Sequence, residues 1–128
     1  MKKLILGLSA ICLLATVACK KEVNEVLAGN YSVSQSCGGA SGDFTSTIEK
    51  HADADSVYIN VVYGSNTYKT VAWFYYTNFT VKAPLQTING ATIEGEGNYL
   101  SQKGIMNFNY TLTDSNGLHY CGGIWTKQ

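Results

Sequence analysis

The strongest constraint on this chain is a period of two. From residue 30 onward, apolar and polar residues alternate in short runs rich in Val, Ile, Thr, Tyr and Phe, broken by Gly, Asn, Asp and Ser. No stretch sustains the 3.6-residue period of a helix. Alternation of this kind puts apolar side chains on one face of a half-buried strand. It is clearest at Met106, Phe108, Tyr110 and Leu112, which alternate with Asn107, Asn109, Thr111 and Thr113 before the polar turn Asp114-Ser115-Asn116-Gly117. The same reading predicts eight strands, over residues 30–36, 44–50, 57–63, 68–76, 79–83, 91–97, 106–113 and 118–127. Pro84 is expected to stop the fifth, and Gly95 and Gly97 to permit a bend or bulge in the sixth.

The N-terminus reads differently. Lys2 and Lys3 precede an apolar run over residues 4–17 that ends in Ala18-Cys19, the order of an export signal. The run is shorter than the roughly 20 residues of a spanning helix. Thr16-Val17-Ala18-Cys19 resembles a bacterial lipobox. That resemblance implies cleavage before Cys19 and lipid on its sulfur, with residues 1–18 as signal, 19–27 as lipidated cysteine and flexible tether, and 28–128 as one folded domain. The expected membrane partner is reached through the lipid anchor, since affinity rises by about 0.8 kcal/mol per buried CH₂ and two or more chains hold firmly. Lys20, where enterobacterial inner-membrane lipoproteins carry aspartate, points to the outer membrane, with its periplasmic and outer faces both open.

With Cys12 in the signal and Cys19 lipidated, Cys37 and Cys121 remain, and an exported chain is expected to pair them. Neither belongs to a CxxC spacing, so they make a poor zinc set. Eight short strands joined by short loops favour an antiparallel up-and-down meander closed into a β-barrel, which removes exposed edges. Closure also makes the first and last strands neighbours, and those are the strands that carry Cys37 and Cys121. The alternative is a β-sandwich of immunoglobulin type, but Trp73 lies too far beyond Cys37 for that pattern.

Ala28-Gly29-Asn30-Tyr31 at the start of the first strand and Ile124-Trp125-Thr126-Lys127 at the end of the last resemble the small lipocalin-like lipoproteins of Bacteroidota. The resemblance implies a calyx-like barrel, often without an assigned ligand.

The chemistry the residues offer is binding rather than catalysis. His51 and His119 are the neutral-pH bases, and neither sits in a catalytic motif, so no enzyme and no cofactor are expected. His51-Ala52-Asp53-Ala54-Asp55 reads as a solvated turn, and Glu94 and Glu96 as an exposed strand face. All nine basic residues are lysine, and without Lys2 and Lys3 seven face nine acids. That balance offers no basic face for nucleic acid. A monomer is expected. A small apolar ligand inside the barrel would meet Tyr31, Val57, Ile59, Val61, Phe74, Met106, Phe108 and Tyr110, unless these form a packed core. Trp73 and Tyr75 on the outer face offer instead a surface for a glycan or a protein. Asp55-Ser56-Val57 is similar to the O-glycosylation motif of Bacteroidota envelope proteins, with Ser56 expected to be accessible.

Overall fold

In a computed structural model, residues 23–75 and 78–128 are described. The signal, Cys19 and Tyr76 at the end of the expected fourth strand lie outside them. Eight antiparallel strands run β1 (Gly29–Cys37), β2 (Ala40–Lys50), β3 (Ser56–Tyr63), β4 (Asn66–Tyr75), β5 (Thr80–Ile88), β6 (Ala91–Leu100), β7 (Ile105–Asp114) and β8 (Gly117–Lys127). Each pairs with the next, and β8 returns to β1, so the sheet is a closed up-and-down barrel. The fold class read from the alternation is therefore correct, and the sandwich is not formed.

The period of two acts as the fold requires. On β7, Met106, Phe108, Tyr110 and Leu112 point inward and are buried, while Asn107 and Asn109 are exposed. Trp125, Tyr31, Ile59 and Ile93 from other strands meet them in one continuous core. Burying a side chain of this size contributes about 1.5–3 kcal/mol. Cys37 and Cys121 stand directly opposite each other in the β1–β8 ladder and form the disulfide, stapling the strands that close the barrel.

Two expectations need correction. The folded part begins before residue 28, because Val23–Leu27 forms a short helix, α1. Asn24 is buried beneath the β2–β3 loop, its side-chain amide donating to the carbonyls of His51 at 2.9 Å and Asp53 at 3.2 Å. Leu27 is fully buried and its carbonyl accepts from the Tyr31 hydroxyl, so α1 closes one end of the barrel. Sequence reasoning missed it because five residues are too few to show a helical period.

The fifth strand does not stop at Pro84. It continues to Ile88 through a bulge, where Pro84 and Leu85 together face Glu94 between the pairs Ala83–Gly95 and Gln86–Ile93. Proline has no N–H for a ladder, and a bulge is where a strand tolerates that loss. The irregularity expected at Gly95 and Gly97 thus falls on the partner strand, and the β6–β7 register runs unbroken past both glycines.

Candidate binding groove

The bulge shapes the outer wall. It turns Leu85 outward to 68% exposure and leaves Gln86 facing β4, where it hydrogen-bonds the backbone of Val71. Successive ladders then align outward side chains in a row across the strands. Trp73 stands opposite Lys82, Lys82 opposite Glu96, Glu96 opposite Asn109, and Asn109 opposite Gly122. A second row alongside it carries Glu94, Thr111 and Tyr120. Together the rows line an open groove of about 790 Å³.

Aromatic rings stand in both rows of this groove, Trp73 at 42% exposure and Tyr120 at 67%. Polar side chains form its floor. At Gly122 an added Cβ would lie 2.6 Å from Asn109 Oδ1, so the missing side chain lets the Asn109 carboxamide lie flat across β8. Glu96 stands across the ladder from Lys82 and Glu94 faces the bulge on the same side of the sheet, so this face carries two carboxylates and one ammonium. Among the described residues, lysine–carboxylate ion pairs form elsewhere, at Lys50–Glu25 and Lys69–Glu49.

The eight candidate interior residues are brought together as expected, all inward and none more than 3% exposed. Tyr31, Val57, Ile59, Val61, Phe74, Met106, Phe108 and Tyr110 belong to one packed core. The hydroxyl of Tyr110 donates to Gln35 Oε1 at 3.0 Å, and burial pushes its pKa up from the ordinary phenol value. Burial raises that of Tyr31 as well. Buried phenols kept neutral and hydrogen-bonded are what a polar group in a filled interior requires.

On the outside, Trp73 lines the groove. Tyr75, 44% exposed, does not, and borders a separate cleft with Trp73 and the Asp53–Ser56 turn. Ser56 is only 4% exposed, contrary to the accessible hydroxyl expected for glycosylation. It opens β3 opposite Trp73, and its backbone is held by Asp53 and His51. A glycosyltransferase would have to reach it before folding or displace that turn. His119 Nε2 lies 3.0 Å from Asp114 Oδ1, and its ring lies tilted against Tyr63 with centroids 4.7 Å apart. The hydrogen bond from His119 holds the Asp114 carboxyl below the usual carboxylate range. This pair braces the β7–β8 turn. No three ligating side chains converge on a metal site among the described residues.

Lys82, Leu85, Tyr120 and Gly122 were not singled out from the sequence, and Asn109 and Thr111 only as polar positions of the seventh strand. Alternation places most of them outward, but the groove exists only once closure and the bulge set which of them are neighbours.

No family model matches the chain, and no curated protein does. Among solved structures it is similar to a structural-genomics protein of unknown function from Bacteroides ovatus, determined at 2.40 Å, with TM-score 0.58 and 11% sequence identity. The match covers 79% of this chain but only 41% of that one, so the likeness is one of fold over part of a longer protein.

Proposed function

We propose that this protein is a lipid-anchored envelope module whose solid barrel serves as a scaffold and whose outer groove binds a glycan. The observation that carries the reading is the cross-strand row Trp73–Lys82–Glu96–Asn109–Gly122, a polar floor beside exposed aromatic rings. Hydroxyl-rich ligands need paired donors and acceptors, which carboxylates, a carboxamide and an ammonium supply together. Their apolar ring faces suit Trp73 and Tyr120. The lipobox-like sequence supports the anchor. Cys19 lies four residues before α1, a reach of roughly 14 Å when extended, so the lipid would hold the helix-capped end of the barrel near the membrane and leave the wall accessible.

The interior reading is weaker because its candidate residues pack against one another. The deciding experiment is titration of the protein with a panel of soluble neutral and amino-sugar oligosaccharides, with Trp73→Ala and Tyr120→Ala alongside. A member of the panel is expected to bind, and each substitution to weaken it by about tenfold, as for central aromatic anchors. Thermal stability should hardly change for Tyr120→Ala, whose ring is largely exposed, and should fall modestly for Trp73→Ala, whose ring is more than half covered. Binding that is unaffected by either substitution but altered by Phe108→Leu would overturn the groove in favour of the interior.

A further inference from the structure

The ladders around the barrel are uneven. β1–β2 and β6–β7 pair over nine positions, β7–β8 over ten, and β3–β4 over eight. The β3–β4 hairpin, however, joins its two neighbours through three pairs on each side among the described residues. On one side these are Ile48 to Lys50 with Ile59 to Val57, and on the other Trp73 to Tyr75 with Lys82 to Thr80. Both short ladders lie at the end capped by α1. That end is further fixed by Asn24, whose backbone N–H donates to Ala54, and by the Phe74 N–H, which donates to Asp55.

Beyond these ladders, residues 60–63 of β3 and 66–72 of β4 have no strand partner on their outer edges. Side chains take the place of backbone pairing. Gln86 closes both the N–H and the carbonyl of Val71, each at 2.9 Å, and also donates to the Pro84 carbonyl. On the other edge, Gln35 Nε2 reaches the Val62 carbonyl at 3.0 Å and the Ser46 hydroxyl reaches that of Asn60 at 2.6 Å. The Asn60 amide bonds Thr47 and Glu49 across the gap. Two clefts, of about 410 and 370 Å³, lie along the β2–β3 separation.

The sequence accounts for both separations. Before Ile48, β2 offers the core only the half-buried Phe44 and Ser46, while Ala40 and Gly42 are exposed, so it has little apolar surface with which to follow β3. The bulge at Pro84 and Leu85 breaks β5 on the other side.

We infer that the β3–β4 hairpin is a hinged flap in the barrel wall, fixed at the α1 end and held toward its tip by side-chain latches. It swings outward without unfolding the sheet formed by β5 to β8, β1 and β2. A few side-chain bonds can break and re-form independently, whereas a nine-pair ladder opens cooperatively, and sub-global openings of this kind are how local stability differs within one fold. The movement uncovers Val61, Tyr68 and Ala72, buried side chains on the part of the hairpin beyond the fixed ladders, so the surface it exposes is apolar, in contrast to the polar groove. It is independent of the glycan reading, since most of the groove lies on strands that stay closed.

Native-state thiol labelling tests this in the membrane-extracted protein. Val61→Cys places a thiol inward on the hairpin, and Val33→Cys places one inward on β1, both at positions now 0–1% exposed. The Val61→Cys thiol is expected to react at least about tenfold faster than that of Val33→Cys, with weaker dependence on denaturant. Adding Gln86→Leu, which keeps volume and removes the three latch bonds, should accelerate only the hairpin thiol. Equal rates at the two positions, both with the denaturant dependence of global unfolding, would show that the hairpin opens only with the whole barrel and overturn the proposal.

Discussion

Replacing both bridged cysteines, Cys37→Ala with Cys121→Ala, is expected to lower stability by about 4–5 kcal/mol. The two residues are 84 positions apart, and in the chain-entropy model a loop of that size gives this value. The effect is large against the 5–15 kcal/mol that typically separates folded from unfolded domains. Its origin is mostly in the unfolded chain, which the bridge confines by tying one end of the domain to the other. Folded, β1 and β8 keep seven ladder pairs without it, so the barrel should still close. Urea denaturation of the oxidised protein and the double variant measures the difference. A larger m-value should accompany the lower midpoint, because the uncrosslinked chain exposes more surface. A loss under about 1 kcal/mol would mean that the unfolded ensemble is already compact and that closure does not depend on the staple.

Gly97→Ala is expected to be about as damaging as deleting a large core side chain, with a loss of about 3 kcal/mol or more. A Cβ at this inward position on β6 would lie 1.9 Å from the backbone oxygen of Asn107 and 3.0 Å from the Cα of Phe108. Both obstacles are backbone atoms of the paired strand, so relief requires separating β6 from β7 at the centre of one of the longest ladders. Gly122→Ala is the natural control. Its Cβ would meet only the Asn109 carboxamide, a side chain that can rotate away. Thermal unfolding of the two variants should therefore show a large drop for the first and a small one for the second. Comparable drops would place the constraint in general strand propensity rather than in close approach at Gly97.

The fold was legible because alternation is local. Each of Met106, Phe108, Tyr110 and Leu112 declares its face within a few residues, and eight such runs with short connections leave few ways to bury all the apolar faces at once. The bridge was legible for a related reason, since closure brings together the first and last strands and both carry a cysteine. The departures arise where neighbours distant in sequence decide. α1 is too short for periodicity to reveal, and what fixes it is Asn24 meeting carbonyls at residues 51, 53 and 54. Pro84 correctly marks an interruption, but whether it ends a strand or bulges within one depends on Gln86 finding Val71. Ser56 was expected to be accessible at a strand edge, and its burial follows only from the packing of the preceding turn under α1 and against β4. The groove was half legible: Trp73 and the pair Glu94 and Glu96 were placed outward, while Tyr120 and Asn109 became their neighbours only through the register.

The most direct test of a filled scaffold with its ligand on the outside is native mass spectrometry of the protein extracted from an envelope-like host, recorded before and after denaturation. The covalent mass should correspond to residues from 19 onward with acyl chains on Cys19. The account predicts that no further apolar molecule accompanies the folded state, because Phe108, Met106, Tyr31 and Trp125 already occupy the interior. A lipid or other apolar species held by the folded protein and released on denaturation would contradict it.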